Sequence, residues 1–260
     1  MRRLSVHAVV PGFLFLALAA AAGAATPDEG KPVKYTSGNR EFTASLFEAS
    51  GAGPHPAVVE IHGIFGRNHW DTEVSQRLAA EGYVTLSVDL YGRPARDYDD
   101  GLHLRDQERP HVREDLRAAV AYLRTLKGVV PDRIGALGWC MGGGFVLQLA
   151  IAEPTLAAGV IYYGPVVVDE GQLKQVRARL LGFFGQEDRS IPVPAVKMMA
   201  NSFADLGNPM DLQIYPDARH GFAEPEKGNN PAYQPQAAED AWKRSVSFLN
   251  ASLKNTAKKP

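Results

Sequence analysis

The chain has 260 residues, and 28 Lys and Arg residues against 29 Asp and Glu residues leave a formal net charge of −1. Hydrophobic residues make up 45% and charged residues 22% of the chain, values that exclude a disordered or fibrous protein. The near-neutral balance argues against nucleic acid as a partner, and the single cysteine, Cys140, excludes an internal disulfide and a multi-cysteine metal site.

The first 25 residues differ in composition from the rest of the chain. Arg2 and Arg3 precede an apolar run at 13–22, and the small residues Ala22-Gly23-Ala24 follow it. That run is much shorter than the ~20 residues that span a bilayer. The pattern predicts a cleaved signal peptide over 1–25, with Sec and twin-arginine export both open. We therefore expect a secreted or periplasmic bacterial protein with no membrane anchor in its mature form.

Residues 26–260 alternate between strand and helix patterns. Strands are predicted at 41–48, 57–61, 83–88, 133–139, 158–163, 180–185 and 212–215, and helices at 70–81, 112–127, 142–152, 196–206 and 237–253. The polar stretch 92–109 is predicted to be a surface loop or an ordered excursion near the site. Because the strands are short, nearly continuous apolar runs, they indicate a mostly parallel sheet with helices on both faces, in one α/β domain.

A nucleophile-elbow pattern follows the strand predicted at 133–139. The sequence Gly138-Trp139-Cys140-Met141-Gly142 fits G-x-nucleophile-x-G with cysteine in the usual serine position. Glycines are needed because the chain turns sharply there from strand to helix. The helix N-terminus would favour a thiolate. The alternative is that Cys140 is only a small buried residue.

A base and an acid follow the elbow in chain order. His220 lies in a loop after the strand predicted at 212–215, where this fold places a general base. Asp188 ends the strand predicted at 180–185 and would orient His220. Asp188 is preferred because it ends a strand and precedes the next element, and the alternatives among the nearby carboxylates are Glu187, Asp205, Asp211 and Asp217.

Two backbone N–H groups are predicted to form an oxyanion hole. One belongs to Met141, directly after the nucleophile, and the other to Ile64, in the loop His62-Gly63-Ile64 after an early strand. The alternative for that loop is a plain turn at the end of a strand.

Several of these segments together resemble the dienelactone hydrolase family of α/β-hydrolases. They are IHGIFGRN at 61–68, DLYG at 89–92, GWCMGG at 138–143, GQED at 185–188 and HGF at 220–222. The resemblance implies a triad of Cys140, Asp188 and His220. It also implies hydrolysis of a small-molecule ester or lactone through a thioester, with no metal or cofactor. Trp139, Tyr91 and Phe222 are expected to line the acyl or leaving-group pocket.

The sequence departs from the family's type enzyme near the site. Gly63 stands where that enzyme has a Glu that helps to activate the thiol, so activation would rest on His220 and the helix end. Glu224 stands where it has an Arg that binds the substrate carboxylate. Because an acid at that position would repel an anionic lactone, we expect a substrate other than dienelactone.

Two other functions are compatible with the same pattern. One is a peptidase or acyltransferase on the same scaffold. The other is a non-catalytic protein in which Cys140 is a redox-sensitive thiol, since exposed thiols of low pKa are easily oxidised.

Overall fold

The computed structural model of the protein describes residues 29–225 and 230–254. Within them, eight strands form one sheet in the order β1-β2-β4-β3-β5-β6-β7-β8. The strands are β1 (Lys31–Ser37), β2 (Arg40–Phe47), β3 (His55–Ile61), β4 (Val84–Val88), β5 (Val129–Trp139), β6 (Ala158–Tyr162), β7 (Arg179–Gly185) and β8 (Asp211–Tyr215). Strands β3 to β8 run parallel, and β1 and β2 pair antiparallel at one edge.

Helices connect the parallel strands. They are α1 (His69–Ala80), α2 (Tyr98–Glu108), α3 (Val112–Thr125), α4 (Met141–Ala152), α5 (Glu170–Leu173), α6 (Val193–Asp205) and α7 (Pro235–Leu249), and a π-helical turn, Asn250–Lys254, follows α7. In the part of the chain that the structure describes, no helix is both long and apolar enough to span a membrane.

The core lies on both faces of the sheet, as the continuous apolar runs predicted. On β3, Val59 belongs to a buried cluster with residues of α3 and α4, whereas its neighbour Val58 belongs to a second cluster with residues of α1 and α7. Successive residues of a strand point to opposite faces, so a strand covered twice must be apolar at both positions. This confirms the predicted class, a mostly parallel sheet between helices.

Three elements were not predicted: strand β1, helix α2 and the short helix α5. Strand β1 was not predicted, because its sequence is polar and most of its residues are exposed or half-buried at the sheet edge. The stretch 92–109 is not simply a loop but contains α2, which begins after an N-cap at Asp97 that accepts a hydrogen bond from the Asp100 N–H at 2.8 Å. Hydrophobic periodicity does not predict this helix, because its buried residues include the acids Asp100 and Glu108.

The parallel strands bring the predicted functional residues to one edge of the sheet. Carboxyl ends of parallel strands share an edge, and ligands of open α/β sheets bind there. Cys140 directly follows β5, Asp188 follows β7, and His220 follows β8. In the register of β3 and β5, Ile61 pairs with Gly138, so the loop that contains Ile64 begins beside the elbow.

Candidate active site

Cys140 occupies a strained backbone conformation between β5 and α4. Its φ of 51° and ψ of −117° lie in a region that side chains with a Cβ rarely adopt. Such a conformation costs of order 1–3 kcal/mol and persists only where the surroundings fix it. Here the Cys140 N–H donates to the Tyr162 carbonyl at 2.9 Å, and the Cys140 carbonyl accepts from the Gly144 N–H at 3.2 Å. The side chain is thus held at the tip of the turn, partly accessible.

Glycines around Cys140 allow close backbone packing. A Cβ on Gly138 would lie 2.6 Å from the Gly142 carbonyl carbon. A Cβ on Gly142 would lie 2.1 Å from the Ile61 carbonyl oxygen and 2.6 Å from that of His62. The first turn of α4 therefore packs directly against the end of β3, which is what an elbow beside an oxyanion loop requires.

Asp188 is the carboxylate that the structure places against His220. Its Oδ2 lies 2.8 Å from His220 Nδ1. The other oxygen, Oδ1, accepts hydrogen bonds from the N–H groups of Ser190 at 2.8 Å and Ile191 at 2.9 Å. Because Asp188 is buried and both oxygens are bonded, its carboxylate is fixed in orientation. Among the described residues, none of the other four carboxylates left open by the sequence pairs with this ring.

For both His220 and Asp188, burial and hydrogen bonding shift the pKa in opposite directions. Burial lowers the pKa of His220, but hydrogen bonds to Asp188 and Cys140, and the charges of both groups, outweigh it and raise the pKa to about 10. Burial raises the pKa of Asp188, but the hydrogen bond from His220 and those from the backbone bring it below its ordinary value. Protonated His220 and ionised Asp188 are therefore the favoured forms at neutral pH.

His220 is hydrogen-bonded to Asp188, and the Cys140 side chain lies close enough to the ring to raise its pKa. Since Nδ1 faces Asp188, Nε2 is the nitrogen left for the thiol. The ring also packs edge-on against Tyr163, with centroids 5.1 Å apart. Tyr163 is fully buried and has a φ of 39°. Sequence reasoning missed it, although its position directly after β6 was a signal.

The N–H groups of Ile64 and Met141 both border the elbow. Met141 is the first residue of α4, where an N–H has no partner within the helix. Neither N–H makes a backbone hydrogen bond among the described residues. His62, which precedes the Ile64 loop, is fully buried and hydrogen-bonded at both ring nitrogens. Sequence analysis assigned it no role beyond the end of a strand.

The three side chains expected to line a pocket lie in different surroundings. Tyr91 is half-buried, and its hydroxyl donates to Met141 Sδ at 2.8 Å, so it lies beside one predicted oxyanion donor. Trp139 is 2% exposed and stacks on Tyr162. Phe222 is fully buried. Because both of these rings pack in the core, their contact with substrate stays a prediction.

The structure also shows the surroundings of Gly63 and Glu224, the two positions at which the sequence departs from the family's type enzyme. A Cβ on Gly63 would have only the Trp139 carbonyl near it, at 4.0 Å, so this position has room for a side chain that the sequence does not supply. Burial raises the pKa of Tyr163, and the negative charges of Glu224 and Cys140 raise it further. Glu224 therefore acts on the same tyrosine that packs against His220. Within the described ranges, no group of three or more His, Cys, Asp or Glu side chains could hold a metal ion.

Comparison with known proteins gives a consistent result. The model of the dienelactone hydrolase family matches residues 42–253. Proteins named carboxymethylenebutenolidase are similar to the chain: one from Synechocystis sp. is 29% identical over 83% of this chain and 94% of its own length. Another, from Methylorubrum extorquens, is 31% identical over 74% of this chain and 70% of its own. A crystal structure named as a dienelactone hydrolase from Klebsiella pneumoniae superposes with a TM-score of 0.73 at 25% identity, covering 84% of this chain and 97% of that one.

Proposed function

Since the chain belongs to the dienelactone hydrolase family and is a hydrolase, we propose that it cleaves an uncharged carboxylic ester or lactone with Cys140 as its nucleophile. One observation carries the proposal: His220 is hydrogen-bonded to Asp188 and lies close enough to Cys140 for the two groups to interact electrostatically, and Cys140 stands at a strained elbow. A nucleophile, a base and an orienting carboxylate in this order are the parts of a triad.

Acylation starts from the charge pair of Cys140 and His220. The thiolate attacks the carbonyl carbon, a C–S bond forms, and the electron pair of the C=O bond moves to oxygen. When the tetrahedral intermediate collapses, the C–O bond to the leaving group breaks, and His220 Nε2–H donates its proton to the departing alkoxide. The product of this half-reaction is a thioester on Cys140, with His220 neutral.

Deacylation reverses the role of His220. Its neutral Nε2 takes a proton from water, the oxygen of water bonds to the thioester carbon, and collapse breaks the C–S bond. The thiolate and the protonated ring return, and the carboxylic acid is released. In both steps the Ile64 and Met141 N–H groups would stabilise the negative oxygen, and each such donor typically contributes about 3 kcal/mol to the transition state.

The charge around the thiol favours an uncharged substrate. The Glu224 carboxylate and the Cys140 sulfur both act electrostatically on Tyr163, so both lie near the buried ring that packs against His220. An anionic ester bound there would meet both of them, with little water to screen the repulsion. We therefore propose neutral esters or lactones and not dienelactone itself.

Turnover of a neutral activated ester by single variants tests the proposal. We expect Cys140→Ala and His220→Ala each to lower kcat/KM by at least about a thousandfold, as losing a member of a catalytic unit does. His69→Ala is the matched control, because His69 is exposed and paired only with Glu73. Circular dichroism checks folding.

Mass spectrometry of the wild-type protein during turnover of a slowly hydrolysed ester should show one acyl group on Cys140. Full activity of the Cys140→Ala variant would refute the proposal. An acyl-enzyme that passes its acyl group to an amine or alcohol faster than to water would make the protein an acyltransferase instead, and preference for amides would make it a peptidase.

Export is part of the same proposal and is supported by the composition of residues 1–25, which lie outside the described residues. The intact mass of the protein recovered from the producing cells measures it. A chain that begins near residue 26 is expected, and retention of Met1 would contradict export.

A further inference from the structure

Buried His62 has a fixed protonation pattern. It directly follows β3 and is 0% exposed. The Leu90 N–H donates a hydrogen bond to His62 Nε2 at 3.2 Å, so this nitrogen is an acceptor and carries no proton. In a neutral imidazole the other nitrogen, Nδ1, then carries the proton. Nδ1 lies 2.7 Å from the Gly63 carbonyl oxygen, to which it donates.

That hydrogen bond fixes the direction of one peptide group. The Gly63 carbonyl and the Ile64 N–H belong to the same planar trans peptide, so they point in opposite directions. The carbonyl oxygen also accepts a bond from the Gly66 N–H at 3.3 Å. With its carbonyl held by two donors, the peptide cannot rotate without breaking both bonds, and the Ile64 N–H keeps its direction.

The order of the strands determines what the Ile64 N–H faces. Strand β3 lies between β4 and β5. His62 reaches toward the β4 side, because its Nε2 bonds to Leu90, just past the end of β4. The Gly63 carbonyl is drawn to that side, and the Ile64 N–H therefore points to the opposite one. On that side lies β5, which ends at the elbow with Cys140 and Met141.

The His62 ring is also connected, through Tyr91, to Met141, whose N–H is the second proposed oxyanion donor. His62 packs edge-on against Tyr91, with centroids 4.8 Å apart and planes at 64°. The Tyr91 hydroxyl donates to Met141 Sδ at 2.8 Å. His62, Tyr91 and Met141 thus pack together as one unit.

We propose that His62 is a positioning residue, which holds the Ile64 N–H toward the substrate oxygen that becomes negative when Cys140 attacks. This rests on the proposed function, and it explains why a fully buried histidine with no link to the triad follows β3. The ring nitrogens of His62 bond to Gly63 and Leu90, so we infer that it acts through the Gly63–Ile64 peptide.

Two substitutions of His62 test its two hydrogen bonds separately, the one to the Gly63 carbonyl and the one from the Leu90 N–H. His62→Asn places an amide N–H near the position of Nδ1 and can still donate to the Gly63 carbonyl. His62→Gln places its amide near the position of Nε2, where it can accept from Leu90 but leaves the Gly63 carbonyl without its side-chain donor. We expect His62→Gln to lower kcat at least tenfold and up to the ~10²–10³-fold seen when an oxyanion donor is lost, with KM changed less than about threefold. His62→Asn should keep kcat within about threefold of the wild type.

Alkylation of Cys140 by iodoacetamide supplies a second readout. That displacement at a saturated carbon forms no oxyanion, so its rate depends on the thiolate and not on Ile64. We expect both variants to be alkylated at the wild-type rate. If His62→Gln loses both alkylation and kcat, the whole site is disturbed and the proposal is overturned. An unchanged kcat in that variant would also overturn it.

The His62→Asn variant keeps the proposal testable if His62→Gln does not fold. A loss of kcat of more than about tenfold in His62→Asn, with normal alkylation, would also overturn it. Cys140→Ala is measured in parallel. If Cys140→Ala keeps the wild-type rate, the proposed function fails; if it is inactive while His62→Gln keeps kcat, only the role of His62 fails.

Discussion

The charge on His220 depends on the group that it is proposed to activate. Burial alone would lower the pKa of the ring, and the bond to Asp188 opposes that effect. The hydrogen bond and charge of Cys140 raise the pKa further, to about 10. The proposed activation of Cys140 uses the same interaction, because a thiolate and an imidazolium that lie together would each stabilise the charge of the other.

We therefore expect the titration of His220 to move when the sulfur is removed. In the Cys140→Ala variant only the Asp188 bond opposes burial, so the pKa of His220 should fall below its wild-type value of about 10. The ring Cε1–H signal, followed by NMR across pH, measures this directly. Asp188→Asn is the companion variant and should also lower the value. An unchanged midpoint in Cys140→Ala would show that the thiol and the ring are not coupled.

At the scale of single residues, the sequence predicted a role where a reactive side chain stands at a recognisable position of the backbone, such as a tight turn or the end of a strand. Cys140 between glycines predicted a tight turn, and the positive φ confirms that turn. Asp188 could be chosen from five carboxylates only by its place after a strand, and its bond to His220 became visible only in three dimensions. His62 lies in a segment shared with the family, but the bond of its ring to Leu90 is visible only in the structure, and Tyr163 lies in no motif.

At the scale of elements, the elbow depends on α4 packing without side chains against the end of β3. A Cβ on Gly142 would lie 2.1 Å from the Ile61 carbonyl oxygen, and this neighbour is backbone in a central strand. Neither side can move without disturbing the sheet or the oxyanion loop. The glycine therefore fixes the distance between the nucleophile and the loop that contains Ile64.

We expect Gly142→Ala to destabilise the protein by about 1–3 kcal/mol, the usual range for overpacking. Urea unfolding followed by circular dichroism measures the change. Gly128→Ala is the matched control, since a Cβ there would meet nothing within 4 Å. Equal stabilities of the two variants would show that α4 and β3 can separate freely, contrary to the packing described here.

The elements that were predicted correctly share one physical property. Strands β3 to β7 are predominantly buried, so their apolar runs were visible in the sequence. Helix α2 was not recognised because polar contacts hold it. Asp100 receives hydrogen bonds from the guanidinium of Arg93 at 2.6 and 2.9 Å and from that of Arg96 at 3.0 Å. Hydrophobic periodicity does not reveal a segment of this kind.

At the scale of the whole molecule, a pair of buried acids lies between the sheet and α1. Glu60 is in β3, opposite Ser87 of β4, and its Oε2 accepts a hydrogen bond from the Ser87 hydroxyl at 2.6 Å. Asp71, in α1, packs against it, and both carboxyls are buried. Burial raises the pKa of both acids, and the negative charge of Asp71 raises that of Glu60 further.

This pair makes the stability of the fold depend on pH. In the unfolded chain the two carboxyls lose their protons near pH 4. The folded chain retains a proton to higher pH, so it binds more protons than the unfolded chain above pH ~4. The free energy of unfolding therefore decreases as pH rises from there toward the raised pKa of Glu60.

Replacing Glu60 with glutamine removes the charge while keeping a group that can accept from Ser87. Relative to the wild type, Glu60→Gln should gain stability as pH rises from 5 to 8, by up to about 1.4 kcal/mol per pH unit for one proton. Urea unfolding at several pH values measures the slope, and any fixed packing effect of the substitution cancels from it. Glu73→Gln, which neutralises an exposed carboxylate of α1, controls for net charge. A difference between Glu60→Gln and the wild type that does not change with pH would mean that Glu60 is already ionised in the folded protein.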